Sequence, residues 1–168
     1  MAVGATLADL LPNPLEWPRI VSTSSRISSG ARSPRQPRKH SPMAMFDHVQ
    51  IKVDDLERSR VFYEPVLGTL GYKVVFEAKA VVVGYGNNPH DMFEVRQAGL
   101  HAPVSESAHI AFTAQSEDAV RAFHAVALAQ GAKNNGAPGP RPQYEDGYFA
   151  AFVIDPNGHN LEAVYKKT

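Results

Sequence analysis

Two stretches of this 168-residue chain are near copies of one another, and each opens on a histidine. His48-Val49-Gln50-Ile51-Lys52-Val53, then Asp54-Asp55 and a helical stretch carrying Phe62, matches His109-Ile110-Ala111-Phe112-Thr113-Ala114, then Ser116-Glu117-Asp118 and a helical stretch carrying Phe123. The offset between the two copies is 61 residues at the leading histidines and again at the helical phenylalanines. A doubled strand-helix unit with a metal-capable side chain at the same place in each half is expected to bring the two imidazoles together across a pseudo-twofold axis.

Periodicity fills in the rest of each unit. Over residues 48–53, Val49, Ile51 and Val53 alternate with His48, Gln50 and Lys52, the pattern of a half-buried strand. Asp54 is the expected cap of a helix reaching Leu67, with Leu56, Phe62, Tyr63, Val66 and Leu67 as its apolar stripe; Pro65 should bend or shorten its last turn, and Gly68 should end it. Strands are predicted near 72–77, 80–85 and 92–96, with Gly86-Asn87-Asn88-Pro89 as a turn. In the second half, strand 109–114 leads to a helix capped by Ser116 and closed by Gly131. Residues 134–142 read as a Gly- and Pro-rich loop without a counterpart in the first half. Strand 148–154 then meets strand 160–165 through Asp155-Pro156-Asn157-Gly158, whose Pro and Gly suit a type I turn. The expected fold is α+β: two βαβββ modules in tandem, forming a curved mixed sheet around a metal cleft.

Strand phasing places His48 and His109 on the faces opposite the helices. Two carboxylates occupy comparable places in the last strand of each half, Glu94 between Phe93 and Val95 and Glu162 between Leu161 and Ala163. They follow the leading histidines by 46 and 53 residues, and the difference of seven is assigned to the loop at 134–142. A carboxylate among apolar strand neighbours is costly to bury unless it is paired or bound to a cation. Singly, each of the four reads more simply as a backbone-bonded His or a solvent-facing Glu. Jointly, at repeat-equivalent positions, they read as metal ligands. Two imidazoles and two carboxylates suit Zn, Ni, Mn, Fe or Co and leave positions open for substrate oxygens. Such an ion would stabilise an enediolate or enolate, with a detached Glu94 or Glu162 as general base.

The remaining candidates are weaker. His124 matches Tyr63 in the repeat and reads as packing or surface, His159 is expected to be exposed in its turn, and His40, His90 and His101 lie in loops with no partner in view. Arg141, Tyr144 and Tyr148 flank the second-half loop and are expected to line the substrate pocket.

Cysteine is absent, so any metal must be held by His and carboxylate oxygen. With 43% hydrophobic and 20% charged residues the make-up is that of a globular chain, and no apolar run approaches the roughly 18–20 residues of a membrane helix. The zero net charge is unevenly spread: residues 1–43 carry six Arg and Lys against two Asp and Glu, a net +4, which leaves −4 for the remainder. That stretch, rich in Ser, Arg and Pro, is expected to be a disordered arm preceding a folded domain over 44–168. A linker tail, an organellar transit peptide and a translation start upstream of the true one at Met43 or Met45 compete to explain it, the last being preferred. Between Trp17 and Phe46 it holds no aromatic residue, which argues against nucleic-acid binding. The expected location is the cytoplasm, with organellar import as the minor alternative.

These residues resemble the vicinal oxygen chelate superfamily, which includes glyoxalase I, extradiol dioxygenases, fosfomycin-resistance enzymes and bleomycin-binding proteins. The resemblance spans about residues 46–166 and rests on His48 to Val53 with Asp55-Leu56, on Phe62-Tyr63-Glu64-Pro65-Val66-Leu67-Gly68, on His109 to Phe112, and on Phe152 to Gly158 with Leu161-Glu162. The stretch from Asn135 to Phe152 looks like a branch of small single-domain glyoxalase-like proteins. Similarity to glyoxalase I implies His48, Glu94, His109 and Glu162 as metal ligands, with the glutamates as bases. It also implies a homodimer built through exchanged or paired modules, and a small-molecule substrate with vicinal oxygens undergoing lyase or isomerase chemistry. Bacterial glyoxalase I usually follows its first ligand Glu with Leu-Thr and a glutathione-holding Asn, where this chain has Val95-Arg96-Gln97. Two alternatives stand beside it: an Fe-dependent extradiol dioxygenase using His48, His109 and Glu162, and a module that binds or sequesters a small molecule without turnover.

Overall fold

The computed structural model describes residues 45–167. The basic arm expected over 1–43, including His40, lies outside the described residues. The described part runs β1(His48–Val53), α1(Leu56–Gly68), β2(Lys73–Ala78), β3(Val82–Asn88) and β4(Asp91–Gln97), then β5(His109–Thr113), α2(Glu117–Ala129), β6(Lys133–Pro140), β7(Tyr148–Ile154) and β8(Asn160–Lys166). Each half is therefore βαβββ. The first forms a four-stranded sheet in the order β1-β4-β3-β2 and the second repeats it as β5-β8-β7-β6. In both, the first strand runs parallel to the last and the other pairings are antiparallel.

The helices form where capping and apolar spacing agree. Asp55, not Asp54, caps α1: its extended backbone (φ −139°) lets the carboxylate accept from Arg58 N at 2.9 Å. Pro65 does not shorten α1. The carbonyl that loses its partner four residues back belongs to Val61, which is 68% exposed, so water can replace the missing N–H. Ser116 caps α2, accepting from Ala119 N at 3.2 Å, and Gly131 leaves the helix at φ +94°. Leu56, Phe62, Tyr63, Val66 and Leu67 of α1, with Val120, Phe123 and Ala127 of α2, are buried against their sheets.

One core joins the two halves. Phe93 of β4 meets Phe112 of β5 edge-on at 5.3 Å, and Tyr63 of α1 lies 5.4 Å from Phe93. The Tyr63 hydroxyl donates to Asp155 Oδ2, and Asn157 Nδ2 donates to Ser59 Oγ at 3.3 Å, so α1 grips the β7–β8 turn. Asp155 Oδ1 accepts from the backbone N–H groups of Asn157 and His159 at 2.9 and 2.7 Å. The turn closes by Gly158 N donating to Asp155 O at 3.1 Å, with Gly158 at φ +92°, as the Pro and Gly spacing requires.

Three further local expectations change. Residues 134–142 are not a loop: β6 fills most of that span, pairs with β7 and is the counterpart of β2. Glycines and prolines there mark two register shifts in a sheet edge, where missing donors and side chains are tolerated. The extra residues of the second half sit in the connection between β6 and β7. In the first half β3 runs on to Asn88, so the reversal is Pro89-His90 instead of Gly86 to Pro89. His159 is fully buried, sharing the core-facing phase of Leu161 and Ala163, and its Nδ1 accepts from Ala108 N at 3.1 Å.

Candidate metal centre

Register sets the candidate ligands in equivalent pairs. In the first sheet His48 stands opposite Met92 and Gln50 opposite Glu94; in the second His109 stands opposite Asn160 and Ala111 opposite Glu162. Each histidine thus shares a sheet face with the glutamate one step along the neighbouring strand. That face is the one without the helix, since Phe93, Val95, Phe112, Leu161 and Ala163 on the alternate phase are core residues.

The second pair is in contact. His109 Nε2 lies 3.2 Å from Glu162 Oε2, with the imidazole 52% and the carboxylate side chain 5% exposed. Two ligands at cis positions on an ion with bonds of about 2.1 Å would stand about 3.0 Å apart, so the pair is spaced as neighbouring ligands would be. The other carboxylate oxygen, Oε1, accepts from Tyr148 O–H at 2.6 Å. Burial, then the hydrogen bond and charge of Glu162, push the Tyr148 phenol up to about 12, which keeps it a donor. Around the pair stand Phe152, stacked on the His109 ring at 6.3 Å, Arg141, its guanidinium 5.7 Å from the Phe152 ring, and Tyr144, edge-on to Tyr148 at 5.4 Å. Arg141 also donates to the Ala137 carbonyl at 2.7 Å. The three expected pocket residues therefore gather on the Glu162 side.

The first pair has different supports. Glu94 is 3% exposed, and its Oε2 accepts from Gln50 Nε2 at 2.6 Å, which leaves Oε1 without a donor among the described residues. His48 is half exposed and pairs through Nδ1 with Asp47 Oδ1 at 3.0 Å, which leaves Nε2 clear of that contact. The Asp47 hydrogen bond first, and the charge of Glu94 to a lesser degree, raise the His48 imidazole above its ordinary range. A carboxylate behind an imidazole nitrogen is the outer support that metal-bound histidines commonly have. Asp47 is shared: its Oδ2 contacts His90 Nδ1 at 3.0 Å, so His90, expected to stand alone, has a partner.

The two pairs do not meet within one chain. The modules join through their core-side faces at Phe93 and Phe112, opposite the phase of the four candidates. Among the described residues, no group of three His, Asp or Glu side chains lies close enough to hold one ion. A cleft of about 220 Å³ at the module seam, lined by Asp47, His48, Tyr72 and Phe112 among others, takes in His48 alone of the four. The described residues thus hold two register-equivalent pairs of an imidazole and a nearly buried carboxylate, of which the second is in contact. Their nitrogen and oxygen donors fit a borderline divalent cation: Gln50 engages one oxygen of Glu94 and Tyr148 one oxygen of Glu162, whose other oxygen faces His109 Nε2.

Residue-type reasoning missed Gln50, Asp47 and Asn160. Gln50 lies two positions after His48, hence on the same face, and a strand-phase argument finds it. Asn160 Nδ2 sits 2.8 Å from His109 Nδ1, a relation that only the β5–β8 register reveals. His124, read as packing or surface, is partly buried on α2 and contacts Asn134 Oδ1 at 2.8 Å, away from both pairs.

Residues 45–163 match the family model described as the Glyoxalase/Bleomycin resistance protein/Dioxygenase superfamily. Among solved structures, a glyoxalase/bleomycin resistance protein from Albidiferax ferrireducens T118 is 31% identical with a TM-score of 0.64, the match covering 72% of this chain and 98% of that one. A glyoxalase-related enzyme from Fulvimarina pelagi is 20% identical (TM-score 0.56, 73% and 88% covered). A lactoylglutathione lyase from Agrobacterium tumefaciens is 17% identical (TM-score 0.54, 74% and 95% covered), and these two likenesses speak to the fold. No curated protein matches the chain.

Proposed function

The chain belongs to the Glyoxalase/Bleomycin resistance protein/Dioxygenase superfamily, and from that premise we propose that it is a divalent-metal-dependent glyoxalase-like protein. In this reading it performs lyase or isomerase chemistry on a small molecule with vicinal oxygens. Its site is completed by two copies of the chain, His48 and Glu94 coming from one and His109 and Glu162 from the other. The observation that carries the reading is the twinned half-site: the same imidazole and carboxylate at the same register on two sheet faces that do not face one another in a single chain. The edge positions of β1 and β5 and the exposure of Met45, Phe46 and Val49 at the start of β1 favour a partner there.

The four side chains would hold Zn, Ni, Mn, Co or Fe. A bound ion supplies Lewis-acid stabilisation of negative charge developing on substrate oxygen. The protein's own work is then to move a proton at the carbon beside that oxygen. Glu94 would take it on Oε1 and Glu162 on Oε2, because Gln50 and Tyr148 hold the opposite oxygens. Arg141, Tyr144 and Tyr148 would line the substrate side of the second half-site.

The test is metal binding by calorimetry and elemental analysis. Glu94→Gln and Glu162→Gln are each expected to weaken binding at least about tenfold, while His124→Ala leaves it unchanged. Equal effects from all three refute the ligand assignment. Mixing a His48→Ala/Glu94→Gln chain with a His109→Ala/Glu162→Gln chain should restore roughly a quarter of the wild-type zinc, the statistical share of intact sites in a twofold dimer. No restoration refutes the shared site. Iron(II) with oxygen uptake in place of zinc or nickel would shift the reading to the ring-opening dioxygenase, and absence of any metal at all would shift it to a binding module.

A further inference from the structure

The two histidines are supported in opposite senses. Asp47 stands at His48 Nδ1 and can only accept from a neutral ring, so the proton stays on Nδ1 and Nε2 offers a lone pair. At His109 the neighbour is an amide. Asn160 Nδ2 faces His109 Nδ1 at 2.8 Å, Asn160 Oδ1 accepts from Asn135 Nδ2 at 3.1 Å, and His109 Nε2 lies 3.2 Å from Glu162 Oε2. Read in order, the contacts form a chain: Asn135 donates to Asn160, Asn160 donates to Nδ1, and Nε2 keeps the proton and donates to Glu162. With the proton there, Nε2 has no lone pair for a cation.

An amide has a donor and an acceptor end of nearly the same shape, so turning both amides over keeps the two asparagine contacts satisfied and gives up only the Nε2–H bond to Glu162 Oε2, where two lone pairs then face one another until a cation stands between them. Asn135 then accepts from Asn160 Nδ2, Asn160 Oδ1 accepts from His109 Nδ1–H, and Nε2 becomes free. We propose that Asn160, backed by Asn135, is a positioning pair that sets the tautomer of His109, holding its proton against Glu162 in the metal-free chain and transferring the preference to Nδ1 when a cation takes Nε2. This rests on the metal-site reading above for its purpose, but the tautomer itself is a property of the metal-free chain. The register isolates the device in one half: His48 stands opposite Met92, whose thioether cannot do the same, and its support comes instead from the preceding residue.

Long-range proton–nitrogen NMR distinguishes the two tautomers of a neutral imidazole, and the measurement is made on the full chain near pH 8.5, about two units above the ordinary imidazole pKa. The metal-free wild type should show His109 protonated on Nε2, and zinc should move the proton to Nδ1. In Asn160→Asp the replacement can only accept, so His109 should be protonated on Nδ1 without zinc. Asn135→Asp forces Asn160 to present its amide nitrogen away from His109, so the same change should appear although residue 135 does not touch the ring. A merely structural role for either asparagine gives no such transfer. Zinc affinity should fall about 10- to 100-fold in Asn160→Leu and return to the wild-type value or above in Asn160→Asp. An unchanged tautomer in both aspartate variants overturns the proposal. A tautomer that moves as stated in a chain that binds no zinc upholds the relay and refutes the metal-site reading instead.

Discussion

Tyr63 and Tyr85 allow one substitution to be made twice with opposite expected results. Both are buried, their rings 6.4 Å apart. The Tyr63 hydroxyl donates to Asp155 Oδ2, and the carboxylate, 4% exposed, has its other oxygen occupied by two backbone N–H groups. Tyr63→Phe removes the only side-chain donor to Oδ2 among the described residues and leaves that oxygen unserved. A hydrogen bond to a charged group contributes about 1.5–3 kcal/mol, so the loss should be about 2–3 kcal/mol. At about 3–5 °C per kcal/mol for a domain of this size, Tm should drop by roughly 6–15 °C. The Tyr85 hydroxyl is buried and has no hydrogen-bond partner among the described residues. Tyr85→Phe therefore removes an unsatisfied polar group and should leave stability unchanged or raise it by up to about 1 kcal/mol. Calorimetric or urea unfolding of the two variants reads the difference directly. Equal losses would show that ring packing, not the Tyr63–Asp155 bond, holds α1 to the β7–β8 turn.

Two further outcomes follow from the same structure. Burial foremost raises the Tyr63, Tyr85 and Tyr148 phenols, and Asp155 and Glu162 add to the first and last. A raised folded-state pKa means the unfolded chain releases its proton first, near pH 10, so stability present below pH 10 should decline above it. The part owed to Tyr148 is lost between about pH 10 and 12, and Tyr148→Phe should flatten that segment of a stability–pH curve. Glycines 84 and 86 should differ sharply: a Cβ at Gly86 would meet the Asp91 backbone oxygen at 2.0 Å, whereas one at Gly84 meets first the movable Met92 Sδ at 2.8 Å. Gly86→Ala should cost about 3 kcal/mol or more in denaturant unfolding and Gly84→Ala about 1 kcal/mol or less. Similar costs would refute the tight backbone approach at the β3–β4 hairpin.

The duplicated histidine strands, the two helices and the alternating phase of Glu94 and Glu162 were legible because each rests on short-range periodicity. The helix-free faces and the pairing of the candidate residues within each module follow from that phase. What was not legible depends on distant backbone. Residues 134–142 lack strand-forming side chains, yet β7 supplies a partner and makes them a strand. His159 follows a turn glycine, which suggested exposure, while its parity with Leu161 and Ala163 carried the better signal. Whether the two candidate pairs share a cleft could not be read from a repeat at all. A repeat fixes what each half contains, and the aromatic contact of Phe93 with Phe112 decides which faces of the halves are joined.

The halves have also diverged beside the two candidate pairs. Opposite Glu94, position 84 is a bare glycine, while the corresponding place opposite Glu162 is Phe152, roofed by Arg141. One wall is low and amide-lined, the other tall, aromatic and cationic. In the proposed two-chain site a guest with unlike ends would be read head from tail: the repeated ligand pairs would grip the ion evenly, while the mismatch of the walls would give the guest a direction.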